Sequence, residues 1–148
     1  MRVLIFGSTG LAGRYILAEL LAQNHDVIVF VRSRNRIDSK LLSSSKLTIV
    51  EGDGLSESDI KHAFTVAQTD RNLDAIISSI NEGLEIKLHL QSKCSRLILN
   101  EIDRCTNKKP RFIVFAGAGL LDVPIEGDNH STEIKTQFWK YSSEYPTM

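Results

Sequence analysis

The chain has 148 residues, a length that suits one domain. Its 18 basic and 18 acidic residues leave a formal net charge of zero, which argues against a nucleic-acid partner, and its 42% hydrophobic content supplies a packed core rather than a disordered chain. No apolar run approaches the ~20 residues of a membrane span, and Met1-Arg2 leads straight into an apolar run without the layout of a signal peptide, so the expectation is a cytoplasmic protein with no membrane partner.

Arg2–Phe6 reads as a buried strand. It runs into Gly7-Ser8-Thr9-Gly10-Leu11-Ala12-Gly13, a GxxGxxG seam. Residues 11–23 then read as a helix with Leu17, Ala18, Leu20 and Leu21 toward the sheet, broken by Asn24-His25. The seam has a bland explanation, a tight turn. The sharper one is a dinucleotide pyrophosphate. Gly7 tolerates unusual backbone angles. Gly10 lets a phosphate approach the backbone, and Gly13 lets helix and strand pack closely. The free N–H groups of the helix start then face the anion, with the Ser8 and Thr9 hydroxyls beside it. The seam follows a strand and opens a helix, which is the context this motif requires.

Residues 26–32, DVIVFVR, read as a second buried strand. A domain that prefers NAD carries an Asp or Glu at this strand's end, to hold the ribose 2′-hydroxyl. Here Arg32, Ser33, Arg34 and Arg36 stand instead, and no acid follows until Asp38. A guanidinium can stack on adenine and fork onto a 2′-phosphate, so the expected cofactor is NADP, with NADPH preferred over NADH. A solvated basic loop is the competing explanation.

After the short polar loop of residues 43–46, residues 47–53 read as a third strand ended by Gly52 and Gly54. Asp53 can accept from an adenine amino group, with Gly54 alongside. Ser56 and Asp59 form a weak capping box for a helix over Glu57–Ala67. Residues 73–80 read as a fourth strand ending in Ser78-Ser79-Ile80-Asn81. Residues 84–91 alternate like a strand. Beyond them Cys94, Leu97, Ile98, Glu101 and Cys105 step at helical spacing. The whole segment reads as one long helix, because parallel neighbours need a crossover. Residues 111–117 read as a fifth strand ending in Ala116-Gly117.

Buried strands followed by helices imply a doubly wound parallel α/β sheet, expected in the order 3-2-1-4-5. Its strand ends would line the ligand crevice: Gly7, Ser8, Thr9, Gly10, Leu11 and Gly13; Arg32, Ser33 and Arg34; Asp53 and Gly54; Ser78, Ser79 and Ile80; Ala116 and Gly117. Past Gly119 the sequence becomes loop-like, with one more helix over residues 131–141 and no sixth strand, as though the nucleotide domain were cut short. Cys94 and Cys105 read as reduced thiols, and His25, His62, His89 and His130 have no ligand spacing, so no metal is expected.

With these motifs in hand, the chain resembles the atypical short-chain dehydrogenase/reductase superfamily, in particular its NmrA-like, NAD(P)-binding group that includes biliverdin-IXβ/flavin reductases. The matching stretches are GSTGLAG, VRSRNR, VEGDG, SSIN and VFAGAGLLD, covering Arg2 to about Asp122. The resemblance implies a Rossmann fold over residues 1–148. It also implies an extended NADP touching Gly7, Thr9, Gly10, Leu11, Arg32, Asp53, Gly54 and Ser79. It implies an NADPH-dependent oxidoreductase acting on a flavin-, quinone- or small carbonyl-like acceptor.

Members of the wider superfamily use a Ser, a Tyr and a Lys, with Tyr and Lys four apart. No YxxxK occurs here, and the serine expected after the fifth strand is Ala116 or Gly117. The catalytic residues are therefore unassigned, with His130 and Tyr141 as candidate proton donors. The region that shapes the substrate pocket in family members is missing from this sequence. A non-catalytic nucleotide sensor, or a fragment lacking its substrate region, is the alternative. Substrate identity and homo-oligomerisation stay open.

Overall fold

The computed structural model describes residues 1–80, 90–106 and 108–115. The expectations on residues 81–89 and on the stretch from Ala116 onward, including the helix at 131–141, lie outside the described residues. The elements run β1 (Arg2–Phe6), α1 (Leu11–Ala22), β2 (Asp26–Val31), a single 3₁₀ turn (Arg34–Arg36), β3 (Leu47–Glu51), α2 (Glu57–Ala67), β4 (Ala75–Ser78), α3 (Leu90–Arg104) and β5 (Arg111–Val114).

The five strands form one parallel sheet in the order β3-β2-β1-β4-β5, as the sequence implies. The register aligns the strand tips: Phe6 lies beside Phe30 and Ser78, and Val31 lies beside Glu51. One face of the sheet packs Leu4, Phe6, Ile28, Phe30 and Ile76 against Ile60 and Phe64 of α2 and Cys94 and Ile98 of α3. The other packs Val3, Ile5, Val27, Val29 and Ile77 against Leu17 of α1. Burial on both faces explains why β1 and β2 are continuous apolar runs.

Several expectations are corrected. The strands are shorter than the apolar runs: Arg32, Gly52-Asp53, Leu73-Asp74 and Ser79-Ile80 fall outside them. The paired ladder ends at Val31, Glu51 and Ser78, and in β4 it begins at Ala75. Ala18 is exposed, whereas Ile16 packs inward with Leu17, Leu20 and Leu21. At 100° per residue Ala18 lies off the stripe defined by Gly13, Leu17 and Leu20. No α-helix follows β2. The crossover to β3 uses the 3₁₀ turn and a polar loop whose Ile37, Leu41 and Leu42 seal that face of the sheet. β5 is not buried: Ile113 and Val114 are 40% and 39% exposed, as befits a strand that, among the described residues, pairs with β4 alone.

The end of the sheet opposite the strand tips is tied by charge. The Arg2 side chain donates from Nε to the Ala67 carbonyl at 2.6 Å, placing a cation on the C-terminus of α2. The Arg2 backbone N–H donates to Asp74 Oδ2 at 2.8 Å, and Lys108 Nζ reaches Asp74 Oδ1 at 3.3 Å. Those donors, the Arg2 N–H first, hold the Asp74 carboxyl below its ordinary 3.8. Among the described residues no helix is long and apolar enough to cross a membrane.

A carboxyl with a lowered native pKa stabilises the fold fully above its unfolded value and loses that contribution as pH falls through the native one. Asp74→Ala therefore lowers stability at pH 7 by about 1 kcal/mol. In urea melts, the gap between variant and parent closes as pH drops below 3.8. A gap that persists unchanged into that range contradicts the assignment.

Candidate functional site

The tips of β1 and β4 meet the start of α1 at the glycine seam. Gly7 sits at φ +78°, in the left-handed region that disfavours a side chain, and a Cβ there would meet the Ser79 carbonyl carbon at 2.7 Å. The Gly10 N–H donates to the Gly7 carbonyl at 3.0 Å and closes the turn. A Cβ on Gly13 would be driven into the Gly7 carbonyl oxygen and would lie 2.7 Å from Ser79 Oγ. Gly10 differs: it is exposed, and a Cβ would meet only the Gly7 oxygen at 3.3 Å, with the Ser79 oxygen at 4.0 Å.

Ser79 acts on this turn from below. Its N–H donates to the Phe6 carbonyl at 3.0 Å, and its hydroxyl lies 3.2 Å and 3.1 Å from the Phe6 and Gly7 carbonyl oxygens. The hydroxyl proton is thus spent on the backbone of the seam. Gly7, Gly13 and Ser79 form one close-packed junction.

That junction fixes the start of α1. Gly10 is its N-cap and offers no side-chain cap, and the first turn has no acidic residue. The Arg14 N–H bonds back to the Gly10 carbonyl at 3.1 Å. Among the described residues no hydrogen bond reaches the N–H groups of Leu11, Ala12 or Gly13, the orphan donors of a helix start. Leu11 is 77% exposed and leaves the approach open. The Ser8 and Ser78 hydroxyls are buried with no partner among the described residues, and Thr9 is half-buried in the same loop. Free N–H groups, a helix dipole, a position where only hydrogen faces solvent and the unpaired Ser8 hydroxyl in the same loop fit a nucleotide pyrophosphate.

At the tip of β2, Arg32, Arg34 and Arg36 are exposed, and Ser33 is half-buried at the head of the 3₁₀ turn. Among the described residues none of the three guanidinium groups has a hydrogen bond or an ion pair. The turn is held by backbone bonds from Arg36 to Ser33 at 3.2 Å and from Ile37 to Arg34 at 3.0 Å. The Arg34 N–H donates to Glu51 Oε1 at 2.6 Å. Glu51, at the tip of β3, is a member of this site that the sequence reading missed. The only signal for it is strand order, which sets the end of β3 beside the end of β2.

Beyond β3, Asp53 Oδ1 accepts from the Leu55 N–H at 3.0 Å, and the Asp53 N–H donates to Asp59 Oδ2 at 2.9 Å. The capping box is therefore half-formed. Ser56 Oγ accepts the Asp59 N–H at 3.3 Å, but the Asp59 carboxylate turns to Asp53 instead of Ser56. The Asp53 N–H bond, followed by Ser56, holds the Asp59 carboxyl below its ordinary range. Gly54 is buried, and a Cβ there would meet Cys94 Sγ at 3.4 Å. Burial, aided by the Asp53 charge, pushes the Cys94 thiol up to about 11, so it is a neutral packing group. Cys94 and Cys105 are both free thiols.

The structure thus places Gly7, Gly10, Gly13 and Ser79 in one junction, Arg32, Ser33 and Arg34 in a second cluster with Glu51, and Asp53 and Gly54 in a third with Asp59 and Cys94. All three stand at the carboxyl ends of adjacent parallel strands, the usual ligand edge of an α/β sheet. Ser78 ends β4, and Ile80 packs onto the core below the crevice. Ala116 and Gly117 lie outside the described residues. Among the described residues no group of three His, Cys, Asp or Glu is placed to hold a metal.

Comparison with known proteins adds the family. A profile described as NAD(P)H-binding matches residues 7–145. No curated protein matches the chain. Among solved structures, a short-chain dehydrogenase/reductase from Veillonella parvula superposes with a TM-score of 0.64 at 18% identity, over 97% of this chain and 56% of that one. ChuY, an anaerobillin reductase from Escherichia coli O157:H7, gives 0.64 at 20% identity, over 93% and 60%. A Rossmann-fold NAD(P)-binding family protein from Shigella flexneri gives 0.60 at 18%, over 95% and 61%. At these identities the likeness is one of fold. The chain spans about 56–61% of the length of these three structures.

The junction separates two glycines that look alike in sequence. Gly13→Ala strains the packed seam and costs about 1–3 kcal/mol of stability. Gly10→Ala, facing solvent, costs much less. Thermal unfolding of the two variants checks this, and equal losses contradict the geometry.

Proposed function

The chain belongs to the NAD(P)H-binding family, and from that premise we propose that it binds NADP(H) in preference to NAD(H) and passes hydride to a small flavin-, quinone- or carbonyl-like acceptor. The observation that carries the preference is the tip of β2: three exposed guanidinium groups, unpaired among the described residues, in a loop that has no acidic residue of its own before Asp38. When bound, the reduced nicotinamide supplies the hydride.

In this reading the chain's own groups bind and orient. The N–H groups of Leu11, Ala12 and Gly13 hold the pyrophosphate, assisted by the Ser8 and Thr9 hydroxyls. Arg32 forks onto the 2′-phosphate and lays its other face on the adenine, and Ser33 and Arg34 add donors. The free oxygen of Asp53 accepts from the adenine amino group. Ser79 positions the seam rather than the ligand, since its proton is already given to the Phe6 and Gly7 carbonyls.

The reductase part draws on the fold shared with ChuY and with the short-chain dehydrogenase/reductase, whose lengths this chain covers only in part. The chain contains no YxxxK, so reduction of an unactivated ketone lacks its general acid, a loss of about 10²–10⁴ in kcat. Acceptors that take hydride without a positioned proton donor, such as flavins and quinones, suit it better. The same absence favours a second reading, a nucleotide-binding module without catalysis. NADPH oxidation assayed with a flavin and quinone panel decides between the two.

The preference itself rests on Arg32. A charge-assisted hydrogen bond contributes about 1.5–3 kcal/mol, or roughly ten- to a hundredfold in Kd. Arg32→Asp therefore weakens NADPH by at least about tenfold and leaves NADH unchanged or slightly tighter. Parallel fluorescence titrations with both nucleotides measure it. Equal affinity of the parent for the two, with no change in their ratio on reversing Arg32, overturns the NADP reading.

A further inference from the structure

The loop after β2 has no acid of its own at its start, yet a carboxylate stands in it. Val31, the last residue of β2, lies in register with Glu51, the last residue of β3. The Gly52 N–H bonds to the Val31 carbonyl at 2.9 Å, so the two strand tips are locked together. From there the Glu51 side chain reaches Arg34, accepting its backbone N–H at 2.6 Å. Ser33, the residue at the head of the 3₁₀ turn, makes no side-chain cap, and Glu51 satisfies the turn in its place.

The bond goes to the backbone and not to a guanidinium. Glu51 is exposed and forms no salt bridge with a described residue, so no ion pair consumes its charge. Arg32, Arg34 and Arg36 likewise keep theirs. A carboxylate fixed within a few ångströms of the arginine loop opposes any phosphate that the loop gathers, and its second oxygen is an acceptor for a hydroxyl.

We propose that Glu51 is a specificity-determining residue of the nucleotide site: supplied from the neighbouring strand, it holds the arginine loop in shape while its charge moderates the preference for a 2′-phosphorylated nucleotide. This rests on the NADP reading of Arg32. Two functions are combined in one side chain, and they separate by substitution. Glu51→Gln keeps an oxygen for the Arg34 N–H and removes the charge. Glu51→Ala removes both.

The probes are 2′,5′-ADP and 5′-AMP, which differ by the 2′-phosphate alone, together with NADPH and NADH. Each is titrated against parent, Glu51→Gln, Glu51→Ala and Arg32→Asp, with thermal unfolding run on each protein. Glu51→Gln is expected to melt like the parent and to tighten 2′,5′-ADP and NADPH by roughly threefold to tenfold at low salt. 5′-AMP and NADH are expected to stay unchanged or to weaken. The gain shrinks as salt is raised, because it is Coulombic at an exposed site. Glu51→Ala is expected to gain less than Glu51→Gln, because the loop loses its tether.

A Glu51→Gln protein whose 2′,5′-ADP affinity is unchanged or weaker overturns the proposal. So does one that tightens 2′,5′-ADP and 5′-AMP equally. If Arg32→Asp still abolishes the preference in that case, the NADP reading survives the loss. If the parent shows no preference and neither variant creates one, both readings fall.

Discussion

Everything at the ligand edge of this fold depends on how closely three backbones meet at the end of β1. Gly7 turns with positive φ, Gly13 brings α1 against the Gly7 carbonyl, and Ser79 lies beneath both, with its hydroxyl turned to the Phe6 and Gly7 oxygens. No side chain fits between them. Because the helix is held this close to the sheet, its start lies at the strand tips without a side-chain cap, and among the described residues its first N–H groups have no hydrogen-bond partner. In the proposed reading the anion site follows from a packing requirement. The absent Cβ atoms serve two purposes: those of Gly7 and Gly13 close the junction, while that of Gly10 leaves room above it.

The same logic extends along the edge. The sheet order places the tips of β2 and β3 beside that of β1, so loops far apart in sequence share one rim. The arginine loop is not folded by a helix after β2, since none is there. It is shaped by one 3₁₀ turn, a buried Ile37 and a carboxylate lent by β3. On the next strand, Asp59 reaches back from α2 to fix the Asp53 N–H, and Gly54 rests on Cys94 of α3. Each cluster is thus braced by a residue from a different element.

Much of this was legible in the sequence, for identifiable reasons. Continuous apolar runs give parallel strands, because burial on both faces removes alternation. The Ser56 cap gives the start of α2, because its signal is local. Glycine spacing gives the seam. What was not legible is what depends on the third dimension. Glu51 looks like an ordinary strand end until the register puts it beside Val31. Ser79 is expected beside the cofactor, and the structure adds what spacing does not record, a hydroxyl turned to the Phe6 and Gly7 carbonyls. Gly54 is expected alongside Asp53 at the cofactor, and the structure adds that it is buried where a Cβ would meet Cys94 Sγ at 3.4 Å. Asp59 fits a capping box by spacing, yet its carboxylate has a better partner in the Asp53 N–H. The exposed Ala18 and the exposure of Ile113 and Val114 in β5 escaped for the same reason: composition records that a residue is apolar, and packing decides whether it is covered.

The central claim is that the uncapped start of α1 is where the nucleotide's pyrophosphate sits. Amide chemical-shift mapping during a titration with ADP-ribose tests it most directly, since that ligand carries the pyrophosphate without the nicotinamide or the 2′-phosphate. The account predicts that the largest saturable shifts fall on the amides of residues 8–13, with the Leu11, Ala12 and Gly13 N–H signals moving downfield as they gain an anionic acceptor. Saturable binding that leaves those three amides unmoved would contradict it.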